Sequence, residues 1–229
     1  KEGLKYLKKV EKLGRDDCWF NTEYGFCLMR LKKYENAIEK YKHALELKEE
    51  LNEEIYLNCQ IGFCYRILEK NEEALKYHLK AQELGRNDVW LNIEIGLCYK
   101  ELEKYEKALE HYLVAYEQDK EDTWLLSDIG WIYNELEKYE DALQFLLKAQ
   151  ELGREDSWIY AEIGQCLGRL DKYEEGIEKL KKALEILDKD KTNENTQERI
   201  FINSEIGWLY GKIEGSDPNK ALHYLYAAR

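Results

Sequence analysis

Histidine, cysteine and carboxylate side chains are where this chain could do chemistry. The four histidines, His43, His78, His111 and His223, stand at differing registers, so no two are spaced as metal ligands or as an acid–base pair. They read as solvent-facing or hydrogen-bonded helix residues. Cys27, Cys64, Cys98 and Cys166 each lie two residues after a glycine, where Ile132 and Leu209 occupy the equivalent places. A free thiol at such a position packs as a small hydrophobe. Cys18 and Cys59 lack that register, and no Cys-x-x-Cys pair exists. Six unpaired thiols point to a reducing, cytoplasmic compartment. Without a phosphate loop or a nucleophile–base constellation, the expectation is a protein that is not an enzyme and needs neither cofactor nor metal.

Carboxylates interleaved with aromatic rings offer a different chemistry, recognition of a cationic or amphipathic segment. Two residues before successive glycines stand Glu23, Gln60, Glu94, Asp128, Glu162 and Glu205; six before them, Trp19, Tyr56, Trp90, Trp124, Trp158 and Phe201. One residue after come Phe26, Phe63, Leu97, Trp131, Gln165 and Trp208, and four after come Arg66, Lys100, Asn134, Gly168 and Gly211. Residues that vary in register are the better recognition candidates. The candidate binding set is Phe63, Arg66, Glu94, Leu97, Lys100, Asp128, Trp131, Asn134, Glu162, Gln165 and Trp208. The acids also admit a structural reading, because a cation stands eight residues before four of them (Arg15, Arg86, Lys120 and Arg154). That co-occurrence suggests a contact between turn and helix, with the nearby tryptophan stacked on the arginine.

The elements that position these residues are repeated. Gly25, Gly62, Gly96, Gly130, Gly164 and Gly207 share one context, and the three middle intervals are 34 residues. The residues one and five before each glycine, and six after it, are apolar, which is one face of a helix, A. At plus twelve and plus nineteen stand small residues such as Ala74 and Ala81, marking a second helix, B, close enough to pack on the first. Gly14-Arg15-Asp16-Asp17, Gly85-Arg86-Asn87-Asp88 and Gly153-Arg154-Glu155-Asp156 supply a helix stop and an aspartate cap for the next helix A.

An aliphatic-Gly pair, a tyrosine three residues on (Tyr65, Tyr99, Tyr133, Tyr210) and the alanine pair resemble the tetratricopeptide repeat family. The tryptophan six rather than four before the glycine and the missing closing proline depart from the family pattern. The resemblance implies an all-α, right-handed solenoid of antiparallel helix pairs. Residues 1–17 would be the C-terminal helix of a truncated repeat and 18–229 six repeats in one array. It also implies a concave face, lined by helix A, that holds segments of partner proteins. The family's clamp for a terminal carboxylate is not matched, since Thr22, Cys59 and Ile93 occupy its slots. The connection 188–196 reads as an exposed loop or an extended helix B, with Asn195 and Glu198 as a capping box for the last helix A.

A net charge of −12 makes nucleic acid and anionic membrane poor partners. No apolar run is long enough to span a bilayer. The chain begins at Lys1 and stops inside a unit, and so reads as a fragment. The leading expectation is a protein-binding scaffold for a basic or amphipathic segment. The alternatives are a self-associating structural array and a peptide-sensing module of a longer protein.

Overall fold

The computed structural model describes residues 2–189 and 196–228. Those residues form thirteen α-helices and no strand, an all-α repeat solenoid of antiparallel helix pairs. They group into two compact units, Lys1–Gln118 and Asp119–Arg229.

In the first unit, α1 (Glu2–Lys12) precedes three pairs: α2 (Cys18–Arg30) with α3 (Tyr34–Leu47), α4 (Leu51–Ile67) with α5 (Asn71–Glu83), and α6 (Val89–Glu101) with α7 (Tyr105–Gln118). The second unit holds α8 (Thr123–Glu135) with α9 (Tyr139–Glu151), α10 (Ser157–Arg169) with α11 (Tyr173–Lys189), and α12 (Thr196–Lys212) with α13 (Pro218–Ala227). Even-numbered helices carry the repeat glycine and are the A helices.

That glycine sets how closely each pair packs. A Cβ built on Gly96 would lie 2.4 Å from ring carbons of Tyr112 on α7, and one on Gly130 would lie 2.6 Å from Cγ of Leu146 on α9. The alanines at plus twelve and plus nineteen of the first five units are fully buried, with Gly176 standing for one of them. Two cores result. In the first unit Phe20, Tyr24, Tyr41, Leu57 and Ile61 pack together, with Leu7 and Val10 of α1 against them. In the second, Ile177, Leu180, Leu187, Ile202 and Leu209 do so.

Backbone chemistry closes each pair. After α2, the Lys33 N–H donates to Leu28 O and the Lys32 N–H to Met29 O, with Lys32 in the left-handed region. Glu69, Glu103, Glu137 and Asp171 repeat that conformation seven residues after their glycines. Between pairs, Gly85 takes φ +101°, which releases the chain toward α6. Asp88 then caps α6, its carboxylate accepting from the Leu91 N–H at 2.9 Å. Asp17 and Asp156 cap α2 and α10 in the same way. As expected for an extended helix B, α11 runs to Lys189. Asn195 lies outside the described residues.

Candidate functional site

The turn arginines are bound before any ligand arrives. Arg154 lies over Trp124 at 4.0 Å and over Trp158 at 4.7 Å, while its Nε donates to Asp156 at 2.8 Å. Arg86 lies over Trp90 at 4.9 Å, donates to Asp88, and places Nη1 3.1 Å from the buried Cys59 Sγ. Arg15 does the same with Trp19 and Asp17. The stacking expected from sequence is present. The carboxylate that each arginine binds is corrected: it is the capping aspartate two residues on, not the helix A acid eight on. The fork of an arginine reaches a neighbour in its own turn without crossing the helix.

Glu94, Glu162 and Glu205 bond instead to the preceding A helix. Arg66 of α4 donates from Nε and Nη2 to Glu94 of α6 at 2.6 and 3.0 Å, and Glu94 is buried. In the second unit Asn134 of α8 donates to Glu162 of α10 at 3.3 Å and to Gln165 at 2.6 Å. Arg169 of α10 donates to Glu205 of α12 at 3.2 Å. Glu162 has no such guanidinium on its carboxylate. Burial pushes its carboxyl up to about 7; the Asn134 hydrogen bond and Arg154 pull it down, while Glu135 and Glu205 push it further up.

Around these bonds sit the partly exposed candidates. Phe63 is half-buried beneath Arg66, whose Cζ is 5.4 Å from the ring centroid. Leu97 and Lys100 are half-buried on α6. Arg66, Ile67, Glu69, Asn71, Leu97 and Glu101 line a cleft of about 480 Å³. In the second unit Asp128, Trp131 and Gln165 are half-buried. Trp208 is 38% exposed, with Arg169 4.3 Å and Lys212 5.2 Å from its ring. The structure thus brings Arg66 to Glu94 and Asn134 to both Glu162 and Gln165. Sequence reasoning missed these links; their signal is the 28-residue spacing between the residue four after one glycine and the acid two before the next.

Two other expectations change. His78 is fully buried where Tyr41, Leu146 and Leu180 stand in other repeats, so it is a core residue and not a surface one. Neither ring nitrogen has a hydrogen-bond partner, and burial with the Arg66 and Arg86 charges pushes its pKa down to about 3. Cys64, Cys98 and Cys166 are buried, their thiols pushed up to about 12, whereas Cys27 is only half-buried. Among the described residues no group of three His, Cys, Asp or Glu could hold a metal ion, and no helix is long and apolar enough to cross a membrane.

The tetratricopeptide repeat family model matches residues 20–51, 91–122, 125–156 and 159–186, more than half of the chain. This chain belongs to the tetratricopeptide repeat family. Solved structures share the fold. The C-terminal part of a tetratricopeptide repeat protein from Cytophaga hutchinsonii has a TM-score of 0.75 at 15% identity, covering 99% of this chain and 89% of that one. YrrB, described as a tetratricopeptide repeat protein with an unusual peptide-binding site, has a TM-score of 0.69 at 22% identity, covering 79% and 91%. MamA from Desulfovibrio magneticus RS-1 has a TM-score of 0.70 at 18% identity, covering 78% and 99%. At these identities the likeness concerns fold alone. No curated protein matches the sequence. In this chain the inter-repeat bonds of Glu94, Glu162 and Glu205 and the rings of Phe63 and Trp208 lie on A helices.

Proposed function

We propose that this chain is a non-enzymatic protein-interaction scaffold whose A helices bind an extended or helical, basic or amphipathic segment of another protein. The observation that carries this reading is the pairing of partly exposed aromatic rings with arginines that lie over them and are already bonded to a carboxylate of the next A helix, as at Phe63–Arg66–Glu94 and Trp208–Arg169–Glu205. Ordered rings pre-organise a surface, and each partner side chain buried against one contributes roughly 1.5–3 kcal/mol. In this scheme Glu94 holds the frame in the first unit, where Phe63, Arg66, Leu97 and Lys100 meet a partner, and Asn134 and Glu162 hold it in the second, where Trp131, Gln165 and Trp208 do. The net charge of −12 favours a basic or neutral segment and disfavours an acidic one. The YrrB description is consistent with peptide binding on this fold.

Selection of random dodecapeptides on the folded chain tests the proposal. Enriched peptides should bind Trp208→Ala or Phe63→Ala chains at least about tenfold more weakly, at unchanged helical circular dichroism. Enrichment no greater than on a blank surface, or equal binding by both variants, removes the reading.

A second reading, association between copies, is favoured by α13. That helix buries no residue and leaves Leu222, Leu225 and Tyr226 exposed. A mass by light scattering that rises with concentration and falls back in a Leu222→Glu, Tyr226→Glu chain would support it; a constant monomer mass would end it.

A further inference from the structure

The second unit fills the space between two successive helix A rings with its own arginine. Arg154, ten residues before Gly164, lies over Trp124 of α8 and Trp158 of α10, and its side chain is only 9% exposed. In the first unit the same registers carry Trp19 of α2 and Tyr56 of α4, with Asn52 in the place of the arginine. The cause is local. Helix α4 begins eleven residues before its glycine, against seven for α2, α6, α8 and α10, so Asn52 lies on a helical turn and not in a connection. Both rings, and the segment that stands where a guanidinium would be supplied, lie within the described residues.

Between the two rings is a mainly apolar cleft of about 290 Å³, lined by Trp19, Thr22, Asn52, Glu53, Tyr56 and Leu57. Trp19 is 59% exposed and Tyr56 38%. Two of its polar side chains are already engaged. Thr22 Oγ1 donates to Cys18 O at 2.8 Å, and the Glu53 carboxylate accepts from the Glu49 and Glu50 N–H groups at 3.0 and 3.2 Å. The cleft therefore offers ring surface and little hydrogen bonding to an incoming backbone. A second cleft, of about 520 Å³, adjoins it through Trp19 and Glu53 and presents Asp16, Asp17, Glu49 and Glu50 against Arg15. Its charge complements a basic side chain.

We propose that the cleft between Trp19 and Tyr56 binds a proline of a polyproline II segment whose basic residue, one turn along, enters the acidic cleft beside it. A polyproline II chain makes no internal hydrogen bonds and keeps its backbone hydrated, so it loses none in a cleft whose own polar groups are engaged. Proline brings a flat apolar ring and no N–H, and the pre-formed helix is ordered at little entropic cost. Three residues complete a turn of about 9 Å, which carries a lysine or arginine from the ring pair to the neighbouring carboxylates. The inference rests on the reading that this chain binds partner segments, and it names the chemistry of one subsite.

The test is an NMR titration of the full chain with three acetylated, amidated hexapeptides: Ala-Pro-Pro-Pro-Arg-Ala, a leucine counterpart Ala-Leu-Leu-Leu-Arg-Ala, and a neutral counterpart Ala-Pro-Pro-Pro-Gln-Ala. The Trp19 indole resonance, assigned with a Trp19→Phe chain, should shift with the first peptide. That peptide should bind at least about fivefold more tightly than the leucine one. It should bind about threefold more tightly than the glutamine one, the size of an exposed ion pair. In Tyr56→Ala, at unchanged helical circular dichroism, the preference for proline over leucine should vanish. In Glu49→Gln, an exposed position outside the core, that preference should stay while the arginine advantage shrinks. Equal binding of the proline and leucine peptides to the parent, or a proline preference that persists in Tyr56→Ala, overturns the proline cleft. Equal binding of the arginine and glutamine peptides overturns the basic neighbour, and absence of any Trp19 shift overturns the whole subsite. The reading of the helix A faces is decided separately, by the dodecapeptide selection on the Phe63 and Trp208 variants.

Discussion

Arg66 lays Nε and Nη2 on the two carboxylate oxygens of Glu94, joining α4 to α6 across 28 residues of sequence. Both side chains are largely withdrawn from water, Glu94 at 6% and Arg66 at 21% exposure. A buried ion pair is stabilising chiefly against the loss of one member. Arg66→Met should therefore cost about 3 kcal/mol in urea unfolding. Arg66→Met with Glu94→Met should recover most of that loss, because no uncompensated charge remains. A double variant as unstable as the single one would show that packing, not charge, is what Arg66 supplies.

The same pair shows where sequence reading succeeds and where it stops. Gly96 and Ala108 are legible because helix contact admits no larger side chain at those registers, so the period repeats. Asp88 is legible as a cap because the need for a carboxylate at a helix start is local. Arg86 and Glu94 are spaced so that a turn-to-helix contact is reasonable, but the guanidinium reaches Asp88 first and Glu94 is left for Arg66 of the previous repeat. Contacts between repeats depend on how one A helix lies against the next, which periodicity within a repeat does not encode. His78 is misread for a related reason: its type suggests a surface, while its register, shared with Tyr41, places it in the core.

Two glycines on A helices should respond in opposite directions to alanine. At Gly96 the new methyl would sit 2.4 Å from Tyr112, a contact that the fully buried ring cannot vacate, so Gly96→Ala should destabilise by about 1–3 kcal/mol. At Gly211, near the end of α12, nothing lies within 4 Å, so Gly211→Ala should stabilise by up to about 1 kcal/mol through helix propensity. Thermal unfolding of both chains checks the pair. Equal effects would mean that the tight approach of α6 and α7 is absent in solution.

Arg154 lies against two indoles, Trp124 and Trp158, and donates to Asp156. Arg154→Lys keeps the charge but loses the flat surface and the fork, so it should cost about 1 kcal/mol. It should also shift tryptophan emission to longer wavelength as Trp124, already 68% exposed, loses its cover. An unchanged spectrum with unchanged stability would show the stacking to be dispensable.

Thiol labelling reads burial directly. Cys59, Cys64, Cys98 and Cys166 are buried, whereas Cys18 and Cys27 are half-buried. Burial holds the Cys64, Cys98 and Cys166 thiols near 12, far above working pH, and thiolate is the reacting form. At pH 8 the native chain should be alkylated at Cys18 and Cys27 alone on a scale of minutes, and at all six sites in urea. Mass spectrometry of the quenched chain locates the label, and early modification of Cys98 would contradict the packing of α6.

Glu162 makes the fold sensitive to pH near neutrality. Its carboxyl is pushed up to about 7 in the folded chain from an ordinary 4.5, so between those values the folded state holds a proton that the unfolded state has released. The sign follows: relative stability is greatest at or below about pH 4.5, falls as pH rises, and levels off above about 7. The full difference is roughly 3 kcal/mol, at about 1.4 kcal/mol for each pH unit between the two values. Glu162→Gln, which preserves an acceptor for Asn134 without a charge, should remove this pH dependence. The parent and Glu162→Gln chains should therefore be close in stability at pH 5 and diverge by pH 8, with the variant more stable. Carboxylates distant from Glu162 titrate alike in both chains, so the difference between their urea midpoints reports Glu162 together with its interactions with Glu135 and Glu205. Parallel curves across that range would show that Glu162 is ionised in the folded chain at neutral pH, held by Asn134 and Arg154 more strongly than burial opposes it.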